Sequence, residues 1–384
     1  MNPHTPARLL GGLTPAQFMQ RHWQRKPLLI RGAFERFQPP LTIPQVKRLA
    51  RRDDVESRLV WRESGRWHME RGPFSRLPPA REPGWTLLVQ GVNLHDDGAA
   101  ALMSQFRFVP DARLDDLMIS IATDQGGVGP HFDSYDVFLL QGSGRRRWRI
   151  GKQRNLELDP EAPLKILQRF DPAEEFVLEA GDMLYLPPAY AHDGIAEGDD
   201  CMTLSIGFRS PSLEELARGM LEFASDSLAE RPPAALRGHY RDPDQPAVDR
   251  PAALPESMVE AALAAVSAVK FDPQLASRYL GCWLTEPKPE VVFEPANPDA
   301  LPDLEHNWPA AGVLALDRRT QMIYRGKLLF INGEVAPVPA GAALRTLADD
   351  RRLPCDAPAS ARLKDEERAT LQEWLEAGWV HYLA

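Results

Sequence analysis

Cysteine is scarce: 3 in 384 residues, at Cys201, Cys282 and Cys355. They lie far apart and form no CxxC pair, which excludes a disulfide framework and a zinc knuckle. Positive charge is in deficit, with 45 Lys and Arg against 54 Asp and Glu and a net charge of −9. That balance argues against a general nucleic-acid binder, which needs a positive footprint, and it suits a basic polypeptide partner drawn to acidic clefts. No apolar run reaches membrane-spanning length. The opening Met1-Asn2-Pro3-His4-Thr5-Pro6 lacks the charged start and apolar stretch of a signal peptide. The expectation is a cytoplasmic, reduced protein, a setting that suits ferrous iron. The chain shows no internal repeat or low-complexity segment, and its length exceeds one typical core, so two or three domains are expected.

What is present centres on one stretch, Gly126-Gly127-Val128-Gly129-Pro130-His131-Phe132-Asp133, which leads into the apolar run 137–140. His131 and Asp133 sit two apart at the start of that strand and are expected to share a face, because side chains alternate along a strand. An imidazole and a carboxylate on one face supply two ligands of a 2-His-1-carboxylate iron site. The third is expected from a returning strand, and His192, after the Pro187-Pro188 turn, is the candidate. A bare His-x-Asp pair is a weak motif, and a capped turn is its bland reading. A carboxylate opening an apolar strand is costly without a partner, which favours metal. Zinc competes with iron for such a donor set.

A basic turn enters a strand within 23–32, and short strand-like runs at 57–61, 85–90, 115–122, 137–141, 145–150, 175–178, 183–186 and 202–208 are punctuated by Gly and Pro, a pattern that suggests a sandwich or barrel. Gly142-Ser143-Gly144 is expected to be a hairpin turn between two of them. The pattern changes after Arg209. A Ser212-x-x-Glu215 capping box opens a helix, others are expected at 258–269 and from Asp272 to near Gly281, and prolines at 231–234 and 242–256 interrupt them. Residues 284–310 read as a linker or arm. In the tail, strands at 322–324 and 328–331, an Asn332-Gly333 hairpin signal, helices at 342–348 and 365–377 and a strand at 379–383 permit a winged helix or a small α+β cap.

Arg145, Arg146, Arg147 and Arg149 flank Trp148. Alternation puts Arg146 and Trp148 on one face, where the arginine is suited to clamp an oxo-acid carboxylate. The alternative is that all four arginines face solvent. Asp116, Asp136 and Asp193 are expected near the pocket mouth, with hydroxyls from Tyr135, Ser120 and Ser205. Any of these acids is equally suited to capping a turn or pairing with an arginine.

The stretch from Gly126 through Trp148, followed by Gly181-Asp182-Met183-Leu184-Tyr185-Leu186-Pro187-Pro188-Ala189-Tyr190-Ala191-His192, resembles the JmjC-type ribosomal oxygenases over about residues 15–209. The resemblance implies a mainly β protein with α: a double-stranded β-helix (cupin/JmjC jelly roll) over 1–209, a helical dimerisation region over 210–283, and a linker with a winged-helix-like domain over 284–384. It implies Fe(II), 2-oxoglutarate and O2. By position, His131, Asp133 and His192 would hold the iron and Arg146 the distal carboxylate of 2-oxoglutarate, with Ser120 nearby. Asp116, Tyr135 and Ser205 would form a substrate-arginine pocket. The implied reaction is 3-hydroxylation of an arginine of large-subunit ribosomal protein L-sixteen, or action on another basic ribosomal protein, by a homodimer without direct nucleic-acid contact. Alternatives are a ribosomal histidyl hydroxylase, a lysine demethylase, and a non-enzymatic cupin-like binding protein.

Overall fold

The computed structural model describes residues 2–230, 232–297 and 301–384. The proline break expected at 231–234 and the arm expected over 284–310 fall partly on 231 and 298–300, outside the described residues. The chain forms two compact units. The first contains the chain up to Ser210 together with Lys288–Glu294 and Asp317–Arg319; the second contains Pro211–Pro287, Pro295–Leu316 and Thr320–Ala384.

The first unit is built on nine strands: Leu28–Ile30 (β1), Ser57–Glu63 (β2), Arg66–Arg71 (β3), Trp85–Val89 (β4), Leu114–Ala122 (β5), Val137–Gly151 (β6), Glu174–Glu179 (β7), Met183–Leu186 (β8) and Ala191–Phe208 (β9). They run in the order β1-β8-β6-β9-β5-β4-β2-β3, with β7 on β6, and every pairing is antiparallel. This is the jelly roll expected. Helices Pro15–Arg21 (α1), Ile43–Leu49 (α2) and Asp97–Ser104 (α3) complete the unit. The start of α1 is set locally. The Thr14 hydroxyl accepts from Gln17 N at 3.1 Å, Gln17 Oε1 accepts from Thr14 N at 3.0 Å, and Pro15 occupies the first turn, where no N–H is needed.

Alternation on the strands divides the interior in two. Phe138 and Leu140 of β6, Leu117, Ile119 and Ile121 of β5, and Leu204, Ile206 and Phe208 of β9 enter the main core with Phe18, Phe106 and Tyr185. Burying one such side chain contributes roughly 1.5–3 kcal/mol. This packing fixes which face of each strand is left for the opposite side, because a slip of one residue would exchange the faces.

The second unit holds helices Leu213–Glu230 (α4), Glu256–Ser267 (α5) and Pro273–Thr285 (α6), then Val313–Leu316 (β10), Met322–Arg325 (β11), Leu328–Ile331 (β12), Glu334–Val335 (β13), Ala342–Asp350 (α7), Arg352–Pro354 (β14), Asp365–Glu376 (α8) and Val380–Leu383 (β15). Two small sheets, β14-β10-β15 and β11-β12-β13, pack with α7 and α8 around Leu344, Leu371 and Trp374. Asn332 and Gly333, both with positive φ, make the hairpin expected of them. Helix α6 runs past Gly281, where its end was expected. A Cβ at Gly281 would collide with the Phe330 ring, so that glycine permits close packing and is no stop signal.

Candidate active site

Neighbouring strands send every second side chain into one cavity of about 520 Å³. Thr86 and Leu88 come from β4, Asp116, Met118 and Ser120 from β5, Thr203 and Ser205 from β9, and Val137 and Leu139 from β6. These positions are the complement of the core set, as a period of two requires.

The second half of β6 reaches the same cavity only because its register changes. Gly142-Ser143-Gly144 is not the expected hairpin turn. β6 continues through it, paired with β9 on both sides, with register shifts between Gln141 and Arg145. Gly144 has φ +61°, and a Cβ there would lie 2.9 Å from the Asp200 carbonyl oxygen on β9. The irregularity switches the inward positions from odd (Val137, Leu139) to even (Arg146, Trp148, Ile150). Arg145 and Arg147 remain outside, paired with Glu197.

His131 and Asp133 do not sit on the apolar strand as the alternation argument supposed, because β6 begins only at Val137. Gly129 turns the chain with φ +79° and Pro130 has no N–H for a ladder, so the pair lies on a loop. A single bridge docks that loop on β9. His131 N donates to the His192 carbonyl at 2.9 Å, and His192 N donates to the His131 carbonyl at 2.8 Å. The imidazole centroids are 4.2 Å apart, and His192 Nε2 is 3.6 Å from Asp133 Oδ2. One ligand atom from each of the three residues lies within 4.8 Å of the others. Each Nδ1–H donates to a backbone carbonyl at 2.9 Å, His131 to Gly129 and His192 to Tyr190. That leaves both Nε2 lone pairs for a metal. Burial, then the neighbouring His131, pushes His192 down to about 4, so it is the neutral, ligating form near pH 7. Two imidazoles and a carboxylate converging this way fit a divalent iron ion.

Beside the triad, Arg146 is 3% exposed. Its Nη1 donates to the Gly194 carbonyl at 3.2 Å, while Nε and Nη2 are buried without a partner. Such orphaned charged donors are costly, and a carboxylate meeting the guanidinium fork would satisfy them. Its guanidinium carbon lies 5.8 Å from the Trp148 ring centroid.

Comparison with known proteins places this geometry. A JmjC domain model matches residues 101–216, and a ROXA-like winged-helix model matches 268–381. The chain is 36% identical over 339 residues to the ribosomal protein uL16 3-hydroxylase of Escherichia coli, covering 87% of this chain and 88% of that one. The chain belongs to the JmjC ribosomal oxygenases. A probable ribosomal oxygenase of Haemophilus influenzae is 38% identical over 216 residues, 54% of this chain and 52% of the other. A crystal structure of the ribosomal oxygenase YcfD from Escherichia coli superposes with a TM-score of 0.80 at 32% identity, covering 96% of this chain and 98% of that one. YcfD has also been solved with cobalt and 2-oxoglutarate, a structure that matches with a TM-score of 0.77 at 31% identity.

In this oxygenase the remaining predicted residues separate. Asp116, Tyr135, Ser120 and Ser205 all line the cavity. Ser120 and Ser205 are buried, and Tyr135 is 38% exposed at the mouth. Asp136 and Asp193, expected near the mouth, do not reach it. Asp136 is sealed in the core, where Tyr185 donates to it at 2.6 Å and Gln24 at 3.0 Å. Asp193 projects from the other face of β9 to pair with Arg149 at 2.5 Å. Both take the bland role open to any such acid, pairing with a local partner. The structure adds Asp115 and Lys165 to the cavity wall. It also places Lys288 3.3 Å from Asp115, a long-range contact that no local sequence signal announces.

Proposed function

We propose that the chain is an Fe(II)- and 2-oxoglutarate-dependent hydroxylase that 3-hydroxylates an arginine of ribosomal protein uL16. The observation that carries this reading is the joining, in one cavity, of a triad with free Nε2 atoms, a buried arginine with orphaned donors, and the buried acid Asp116. His131, Asp133 and His192 would hold the iron. Arg146, with Ser120 near it, would take the distal carboxylate of 2-oxoglutarate. When bound, the metal and co-substrate supply O2-dependent oxidation, with release of succinate and carbon dioxide.

The chain's own residues bind, orient and exclude. Val137 and Leu139 give the cavity an apolar part, and excluding water there on closure would strengthen the electrostatics within it. Asp116, Tyr135 and Ser205 offer one carboxylate and two hydroxyls to the incoming side chain. A buried carboxylate favours a cationic guanidinium over a neutral imidazole, which supports arginine over histidine.

We further infer the division into a catalytic domain over 1–209, a helical region over 210–283 that pairs two copies of the chain, and a linker with a winged-helix-like domain over 284–384. Support for pairing lies in exposed apolar side chains: Leu213 is 84% exposed, Leu221 60% and Leu263 65%. A second copy of the chain would cover these exposed apolar side chains if they share one face. A Leu221→Glu, Leu263→Glu double variant should halve the mass seen by sedimentation; an unchanged mass would discard this face. A cytoplasmic setting follows from a ribosomal substrate; among the described residues no helix is long and apolar enough to cross a membrane.

The decisive experiment is mass spectrometry of a uL16 fragment incubated with the chain, Fe(II), 2-oxoglutarate and air. One oxygen should be gained on an arginine, and not when 2-oxoglutarate is omitted. Succinate formation without that gain would keep the oxygenase and reject the substrate. Neither gain nor succinate would reject the enzyme reading.

A further inference from the structure

Asp116 is 4% exposed, and its two oxygens have different surroundings. Oδ2 accepts from Gly91 N at 2.9 Å and lies 4.0 Å from Lys288 Nζ. Oδ1 is turned toward Gly207 and would be 3.4 Å from a Cβ at that position. Gly207 and Tyr135 both line the cavity, so the side chain missing at Gly207 leaves space against the inner oxygen. Lys288 comes from the short segment Lys288–Glu294, which packs within the first unit although its neighbours on both sides belong to the second. It lies outside the residues matched by the JmjC domain model.

We propose that Lys288 is a positioning residue for the substrate cation, backing Asp116 from outside the cavity so that one fixed carboxylate oxygen faces the incoming guanidinium. The inference rests on the arginine reading given above. Its logic is electrostatic. A lone buried carboxyl tends to keep its proton, and a neutral acid is a poor partner for a guanidinium. The titratable and charged groups facing Asp116 are Asp115, Lys288 and Tyr135, with the Gln90 amide and the Gly91 N–H as neutral donors. Burial raises the Asp116 carboxyl above its ordinary range and Lys288 is the main influence drawing it back, while Asp115 acts in the opposite sense. Arg209 lies 3.7 Å from Asp115, so the outer acid has a second cation and the inner one depends on Lys288. The substrate subsite is thereby finished by a residue some 170 positions after its acid, on a segment inside the residues matched by the winged-helix model.

The test uses the full chain as wild type, Lys288→Met and Lys288→Arg. The first readout needs no substrate. The Asp116 carboxyl, assigned by its loss in Asp116→Asn, is titrated by carbon-13 NMR. Its midpoint should be higher in Lys288→Met and return toward wild type in Lys288→Arg. An unchanged midpoint overturns the proposal whatever the substrate is. The second readout is steady-state hydroxylation of an arginine peptide from uL16. In Lys288→Met, KM should rise at least about fivefold while kcat changes less than about twofold, and the gap should narrow as the pH is raised. Equal KM values at every pH overturn it too. A wild-type chain that leaves the peptide unmodified rejects the arginine reading alone, and the titration still decides the role of Lys288.

Discussion

His131 and His192 exchange both of their backbone hydrogen bonds, at 2.9 and 2.8 Å, although 61 positions separate them. This one bridge brings a loop imidazole and a strand imidazole to 4.2 Å between centroids, and Asp133 completes the set two residues on. Main-chain hydrogen bonds therefore hold the proposed ligand set together. Removing one ligand should leave the fold and abolish tight binding. His131→Ala and Asp133→Ala should each weaken Co(II) binding by more than about 100-fold, since even partners behind the ligands are worth about 10–100-fold. Their far-ultraviolet circular dichroism should match wild type. Retained affinity in either variant would remove that residue from the ligand set.

Arg146 tests the co-substrate assignment. Two orphaned donors beside the triad await an anion, and each charge-assisted hydrogen bond is worth about 1.5–3 kcal/mol. Arg146→Ala should raise the KM for 2-oxoglutarate by at least about tenfold, with the apparent affinity for Co(II) little changed. Arg146→Lys should recover part of the loss, because an ammonium gives the charge without the planar fork. If Arg146→Ala leaves that KM where it is, the carboxylate anchor lies elsewhere on the wall.

Much of this was legible in the chain itself, for physical reasons that differ by residue. The strand rhythm is a local pattern that suggested a sandwich or barrel, and the jelly roll itself came with the resemblance. His131 and Asp133 form a local pair, and His192 was legible as a histidine after a strand-like run and a Pro-Pro turn; the three do cluster. The alternation of Arg146 with its neighbours was legible too, but which face turned inward was not. That depends on the register shifts between β6 and β9, and Gly142-Ser143-Gly144 reads equally well as a turn or as a strand irregularity. Asp136 and Asp193 show the same limit. Their partners, Tyr185 and Arg149, are 49 and 44 positions away, so proximity in sequence to the motif said nothing of which way each side chain points.

The buried His192 predicts how the metal-free chain responds to acid. Its folded-state value, about 4, lies below the ordinary imidazole value of 6.5. A group depressed on folding contributes stability that is full above the unfolded value and is lost as pH falls through the folded one. Stability of the metal-free chain should therefore decline between about pH 6.5 and pH 4, measured by chemical denaturation at fixed ionic strength. In His192→Gln the decline over that window should be shallower by one proton's worth of slope. Parallel slopes in the two proteins would mean that His192 does not titrate as a buried neutral ring.

Gly194 links the stability of the wall to its chemistry. It follows His192 by two on β9 and faces Trp148 across the β6–β9 ladder. A Cβ there would lie 2.6 Å from Trp148 Cζ3 and 2.7 Å from Cη2, well inside any real contact. The indole cannot retreat freely, because it packs among Val137, Leu139, Ile150 and Leu178. Gly194→Ala should cost about 1–3 kcal/mol as an overpacked core, read by denaturant unfolding followed through tryptophan fluorescence. Arg146 lies over that same ring and donates to the Gly194 carbonyl, so a displaced indole should also move the guanidinium. The KM for 2-oxoglutarate should then rise together with the loss of stability. Lost stability with an unchanged KM would uncouple Trp148 from Arg146, and neither change would show that the β9 backbone yields at this point and that the close approach of Gly194 to Trp148 is not what sets the wall.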